Sequence, residues 1–220
     1  MKFALKILIL FFPWPIRRRL LNFFFNYKIH PTAKIGFSFF YPAQLEMGPE
    51  AEVGHLNVAI NLEKIVMHEK STISRSNWIT GYPLKSKDNF QHINDRKPYL
   101  IMGRDSAITK NHHVDCTDQV TIGELTSVAG YGTQILTHST SLEHNLQSCA
   151  PISIGSRSFI GTRSILLPGS ALPDSSVLGA GSVLTKTFID PFYLYAGVSA
   201  KPIKKLATSM KFLNRTVRNR

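Results

Sequence analysis

From Ile154 to Leu184 the chain repeats every six residues. Ile154, Ile160, Leu166, Leu172 and Leu178 open successive hexads, and the fifth residue of each hexad is serine: Ser158, Ser164, Ser170, Ser176 and Ser182. Glycine follows the aliphatic residue in three of the five, at Gly155, Gly161 and Gly179. The same frame runs earlier through Ile29, Ile35, Tyr41, Met47, Val53, Ala59 and Ile65. It resumes after a two-residue slip at Met67, Ile73 and Ile79, and again at Met102, Ile108, Val114, Ile122 and Val128. Two aperiodic polar stretches interrupt it, 82–100 and 138–150. A period of six matches neither an α-helix nor a flat strand, but it fits a short strand plus a corner. Three such faces close a triangular coil of about 18 residues, and the chain holds roughly eight of them. The aliphatic residue then points inward and stacks on its equivalents, and the small fifth residue sits where a larger one would strike the core. Glycine at the second position is expected to ease a corner of unusual backbone angles. No helical pattern alternates with the strands, which disfavours an α/β fold. The predicted fold is all-β, a parallel solenoid, with excursions that leave at corners and carry function.

The ends are different. Residues 3–14 are strongly apolar but short, and are broken by Lys6 and Pro13. A spanning helix needs about 20 apolar residues, and Pro-Trp-Pro-Ile-Arg-Arg-Arg is no cleavage site. Residues 1–26 are therefore predicted as one or two helical segments lying on a membrane surface, or else as a helix pair packed on the body of an oligomer. The formal charge of +12 sits at the two ends: residues 1–28 and 201–220 are rich in Lys and Arg and hold no acid. A nucleic-acid binder would spread its charge over a folded face, so the expected partner is an anionic membrane and not nucleic acid. The expected divisions are 1–28 as a membrane-surface helical segment, 29–200 as the solenoid and 201–220 as a basic tail. Cys116 and Cys149 have no metal or redox spacing and are expected as unpaired thiols.

The C-terminal third, with Pro151-Ile-Ser-Ile-Gly, Phe159-Ile-Gly, Leu167-Pro-Gly, the run Gly179 to Lys186 and Ala196 to Lys204, resembles the hexapeptide-repeat acyltransferases. It is similar to the maltose and galactoside O-acetyltransferases and to O-acetyltransferases of surface polysaccharides such as the colanic acid type. The resemblance covers roughly residues 29–206. It implies a left-handed parallel β-helix, a homotrimer, and acetyl-CoA as a diffusible co-substrate in a groove between subunits, with no metal. The acceptor it implies is a sugar or lipid-linked glycan, modified at the cytoplasmic, inner face of a bacterial membrane. N-acylation of an amino-sugar nucleotide and a non-catalytic assembly subunit are the alternatives.

An alcohol needs a base to attack a thioester, and histidine is the usual one. His138, in Leu136-Thr-His-Ser directly before the second excursion, stands at the family's base position. Asn111, His113, Asp115 and Asp118 match the acceptor-side strand, where they would bind sugar hydroxyls or hold the imidazole in its tautomer; each also suits a solenoid corner. His112 shares that strand, and Glu143 and His144 lie on the excursion. Serine acetyltransferases place a catalytic Asp–His pair near this point; here the sequence reads Asp115-Cys116, so that variant is not expected. The resemblance further assigns an oxyanion N–H to the Gly161–Thr162 corner, the pantetheine arm to Thr162 and Ala180, and the CoA phosphates to Lys186, Lys201 and Lys204.

Overall fold

The computed structural model describes residues 2–86 and 90–218; Met1, Lys87–Asn89 of the first excursion, Asn219 and the tail residue Arg220 lie outside the described residues. Two helices, α1 (Lys2–Leu10) and α2 (Trp14–Phe25), precede a prism of three parallel sheets. In the first sheet Ile29 lies opposite Met47, then Met67, Met102, Ile122, Ile154 and Leu172, one strand per coil. The second and third sheets repeat this order through Ile35 to Leu178 and through Ala59 to Leu184. Lys28 and Glu46, paired across the first two coils, are 18 residues apart. Seven coils are complete. An eighth is marked by single bridges from Ala171 to Thr187 and from Val183 to Val198, around the strand Tyr193–Ala196.

The hexad residues are the core, none more than 4% exposed. The two-residue slip has a simple origin. First-sheet strands such as Gln44–Met47, Lys64–Met67 and Tyr99–Met102 are four residues long and turn two side chains inward, Leu45 with Met47, Ile65 with Met67, Leu100 with Met102. Phe40, not Tyr41, faces inward opposite Ala59. Tyr41 is buried at the next corner, where its hydroxyl donates to the Lys6 carbonyl at 2.7 Å.

Serine at the fifth position is buried as expected, and the hydroxyls of Ser158, Ser164 and Ser176 donate to corner carbonyls. The glycines serve a different purpose from the one expected. Gly48, Gly103, Gly123, Gly155 and Gly161 do not have positive φ; the left-handed residue falls two positions later, at Glu50, Asp105, Leu125, Arg157 and Arg163, with φ of 54–59°. What requires glycine is the next coil's backbone. A Cβ on Gly103 would stand 2.6 Å from the Glu124 nitrogen, and one on Gly161 2.5 Å from the Ala180 nitrogen.

The helices cap the first coil. The Arg17 guanidinium is buried and donates to the carbonyls of Gly36 (2.8 Å) and Ser38 (3.2 Å), and the Trp14 indole donates to Ala33 at 3.0 Å. These satisfy backbone acceptors that lack a preceding coil. At the other end Lys201–Lys205 pairs antiparallel with Tyr193–Ala196 and closes the second sheet. The rest of the basic tail folds back: a 3₁₀ turn, Lys211–Asn214, leads to Arg215, which donates to the Leu125 carbonyl, and to Arg218, which donates to Ser106 O and Thr72 Oγ1. Among the described residues no helix is long and apolar enough to cross a membrane.

Candidate active site

Strands His113–Asp115 and Gln134–Leu136 are neighbours in the third sheet, with Asp115 opposite Leu136. The chain then leaves the prism at the edge between the third and first sheets, and the second excursion forms a hairpin of His138–Ser141 with Leu146–Cys149. Its first residue, His138, hangs over Asp115. The Nδ1 of His138 is 2.7 Å from Asp115 Oδ2, and the His138 N–H donates to the same oxygen at 3.2 Å. Asp115 is 3% exposed yet fully satisfied. Its Oδ1 accepts from the Thr117 N–H and hydroxyl, and its Oδ2 accepts from those of Thr137. Burial by itself raises the Asp115 carboxyl, but the bonds from His138, Thr117 and Thr137 outweigh it and hold the group below its usual value. The bond to Asp115 raises the His138 pKa against the opposing effect of burial. A carboxylate on Nδ1 fixes the proton there and leaves Nε2 as the basic nitrogen.

The first excursion walls this site. Tyr82 and Phe90 stand edge-on to the imidazole, with centroids 5.7 and 5.9 Å away. Arg96 ties the excursion down: buried, it donates to the carbonyls of Tyr82, Pro83 and Thr117 and lies 4.9 Å from the Phe90 ring centroid.

The residues matched to the acceptor are not gathered into one subsite. Asp115 is buried beneath His138 and holds the imidazole instead of facing solvent. An Asp–His pair is therefore present, formed across 23 residues through space and not at the Asp115-Cys116 step. Asp118 Oδ1 accepts from the Lys97 and Gln119 N–H groups and fastens the end of the first excursion. Asn111 is a corner residue with φ of 55°. It and His113 line a shallow cleft with Trp78 on the outside of the third sheet. His112 is buried in a polar ladder: its Nδ1 accepts from the Thr133 N–H and its own N–H donates to Asn77 Oδ1. Burial pushes its pKa down to about 4, so it is neutral at neutral pH. Glu143 and His144 are exposed at the hairpin tip.

The cofactor candidates divide between two edges of the prism. Gly161, Ala180, Ala196 and Lys201 stack along the edge between the second and third sheets, beside Thr162, whose hydroxyl donates to the Tyr131 carbonyl at 2.8 Å. Lys204 is opposite Leu194 on the closing strand. Lys186 follows Val183–Leu184 at the other edge, two coils beyond His138, with its ammonium 5.4 Å from the Phe188 ring centroid. At the corner expected to supply an oxyanion N–H, the Gly161 N–H already donates to the Leu178 carbonyl at 2.8 Å, which leaves the Thr162 N–H as the candidate there. Thr117, Thr137, Tyr82, Phe90 and Arg96 were not singled out by the sequence. Only Thr137 had a signal, as the residue before the base; the rest depend on which coils come to lie side by side.

No family model matches the chain. A putative acetyltransferase of Staphylococcus aureus (strain MRSA252) is 37% identical over 73 residues, 32% of this chain and 36% of that protein. The galactoside O-acetyltransferase of Escherichia coli (strain K12) is 41% identical over 56 residues, 26% of this chain and 27% of its own. The chain thus spans about a third or less of the length of these curated relatives. Among solved structures, a hexapeptide-repeat-containing acetyltransferase of Vibrio cholerae superposes with a TM-score of 0.55 at 20% identity, over 93% of this chain and 88% of the other. A mutant of AntD, an N-acyltransferase from Bacillus cereus in complex with dTDP and coenzyme A, gives 0.52 at 14% identity, over 90% and 92%. The resemblance read from the hexads holds, and the chain has the left-handed parallel β-helix fold of the hexapeptide-repeat acyltransferases.

Proposed function

We propose that the protein is an acetyl-CoA-dependent O-acetyltransferase acting on a sugar or lipid-linked glycan of surface-polysaccharide synthesis, with His138 as general base. The observation that carries this is the Asp115–His138 pair at the point where the chain breaks out of the wall. His138 Nε2 takes the proton of an acceptor hydroxyl as its oxygen attacks the thioester carbonyl. The tetrahedral intermediate collapses, the C–S bond breaks, and the imidazolium returns the proton to the departing CoA sulfur. With the Gly161 N–H committed, the Thr162 N–H is the donor of that corner proposed for the oxyanion.

The division of the cofactor residues between two edges supports a homotrimer. If one subunit's Thr162–Lys201 edge faces its neighbour's His138–Lys186 edge, a single groove holds them all. Sedimentation should then give a trimer, and a monomer that keeps full activity would refute the shared groove.

Replacing Asp115 with asparagine separates orientation from basicity. The neutral His138 is the active form, so activity rises with pH through its pKa. Without the carboxylate that pKa falls, and the acid limb of kcat/KM moves to lower pH. The amide also donates to Nδ1 and so favours the wrong tautomer, which lowers the plateau by about 10²–10⁴-fold. A pH–rate profile with an unmoved acid limb would exclude the role given to Asp115.

For the helical cap we propose peripheral contact with the inner face of a bacterial membrane. One side of the cap is locked to the first coil through Arg17 and Trp14, while Phe11 and Phe23 on its outside are 71% and 81% exposed, flanked by basic residues such as Arg19. Replacing both phenylalanines with serine should weaken binding to anionic liposomes while Tm and CoA binding stay constant. Undiminished liposome binding would contradict the membrane role. Deleting residues 1–26 is the poorer test, because it also uncovers the first coil.

A further inference from the structure

Away from His138, the outer face of the second sheet carries a cavity of about 900 Å³. Its floor crosses successive coils where the outward residues are small, among them Ser74, Thr109, Ser127 and Ala129. The returning C-terminal segment forms its wall. Phe212 closes one end against Phe159, with ring centroids 5.5 Å apart, and Arg215 and Arg218 fasten the segment to the strands.

The charge of the lining is one-sided. Arg75, Lys211, Arg215 and Arg218 border the cavity, and Glu52 is the only carboxylate there among the described residues. Arg218 is 3.9 Å from Asp105. Arg75 and Lys211 have no ion pair among the described residues and are exposed. The Arg215 Nε is buried and has no hydrogen-bond partner among the described residues. Burial and then the neighbouring Arg218 charge hold the Arg215 guanidinium below its usual pKa, so an anion beside it would relieve both.

A volume of this order is that of a small-molecule site, and a lone phosphate would leave most of it empty. Guanidinium and ammonium groups beside two aromatic rings suit a phosphorylated ligand that carries a ring or an apolar arm. Of the residues assigned to acetyl-CoA, Ala180, Lys201 and Lys204 lie on coils beyond Phe159, and Gly161 and Thr162 at the corner after it; none of them lines the cavity, which runs from Phe159 back over the earlier coils to Glu52. We propose that this cavity binds a diphosphate ester other than acetyl-CoA, such as the diphosphate of a nucleotide-linked or lipid-linked sugar.

The test is a calorimetric titration of the full chain with inorganic pyrophosphate in the presence of saturating CoA, repeated on the double variant Arg75→Gln, Lys211→Gln. Neither residue anchors the C-terminal segment, so Tm should not change. The expected result is saturable binding by the wild type and a Kd raised about tenfold or more in the variant. The proposal is overturned by no binding, by an equal Kd in the variant, by loss of binding when CoA is added, or by inorganic phosphate binding as tightly as pyrophosphate. The two sources are then separated by competition with a sugar nucleotide and with a short-chain polyprenyl diphosphate. The assay needs no acetyl transfer, so failure of the proposed reaction would be recognised separately.

Discussion

Replacing His138 with alanine is expected to cut acetyl transfer by about 10²–10⁴-fold, the contribution typical of a positioned general base. Binding of CoA and the fold should be unaffected. His138 is part-exposed at the start of a hairpin and supports no coil, whereas the residues matched to CoA lie on the prism edges. Burial beneath it of a charged Asp115 does add one complication. The carboxylate loses the imidazole in the variant but keeps the backbone N–H of position 138 and the four donors of Thr117 and Thr137, so the stability loss should be small beside the rate loss. A variant that transfers acetyl at the wild-type rate would remove His138 from the reaction. A variant that unfolds would show the pair to be structural.

The second large effect concerns stability. Changing Gly161 to alanine should destabilise the protein by about 1–3 kcal/mol, the usual cost of overpacking, because the new methyl meets backbone and not a yielding side chain. It would stand 2.5 Å from the Ala180 nitrogen and 2.8 Å from its Cα, and the coils cannot separate without losing the Gly161–Leu178 hydrogen bond. Gly181 is the control. Its Cβ would meet nothing within 4 Å, but its φ is 68°. Alanine there carries only backbone strain, about 1 kcal/mol. Thermal or denaturant melts of the two variants compare the costs directly. Equal stabilities, with activity lost only at Gly161, would return that residue to a catalytic role.

How far the sequence could be read follows from the physics of the coil. A hexad records its own place, since each inward position must be aliphatic and each corner position small. The frame from Ile29 to Leu184 could be assigned inward from spacing, apart from Tyr41, where a five-residue face slips it; Phe40, Leu45, Leu100, Val120, Ile135 and Ile152 are equally inward but fell outside it. His138 was legible because it marks a break in that spacing. Asp115 was legible as one of several polar residues that could bind sugar hydroxyls or hold the imidazole, but spacing could not single it out as the partner of His138. That contact depends on coil stacking, and so on the four-residue strands of the first sheet that lengthen the middle coils. The glycines were legible as special but not for the right reason: sequence suggests a dihedral demand, and only the stacked backbone shows a collision. Arg96 and the docking of Arg215 and Arg218 are invisible in one dimension, because aperiodic excursions and tails carry no frame against which to place them.

The central claim is acetyl transfer to a hydroxyl, and mass spectrometry of candidate surface glycans incubated with the purified protein and acetyl-CoA tests it most directly. The account predicts a product bearing one acetyl group, lost on mild alkaline treatment as an ester must be, and absent with the His138→Ala variant. A base-stable acetyl group on an amino sugar, or no acetylated product from a protein that still binds CoA, would contradict it.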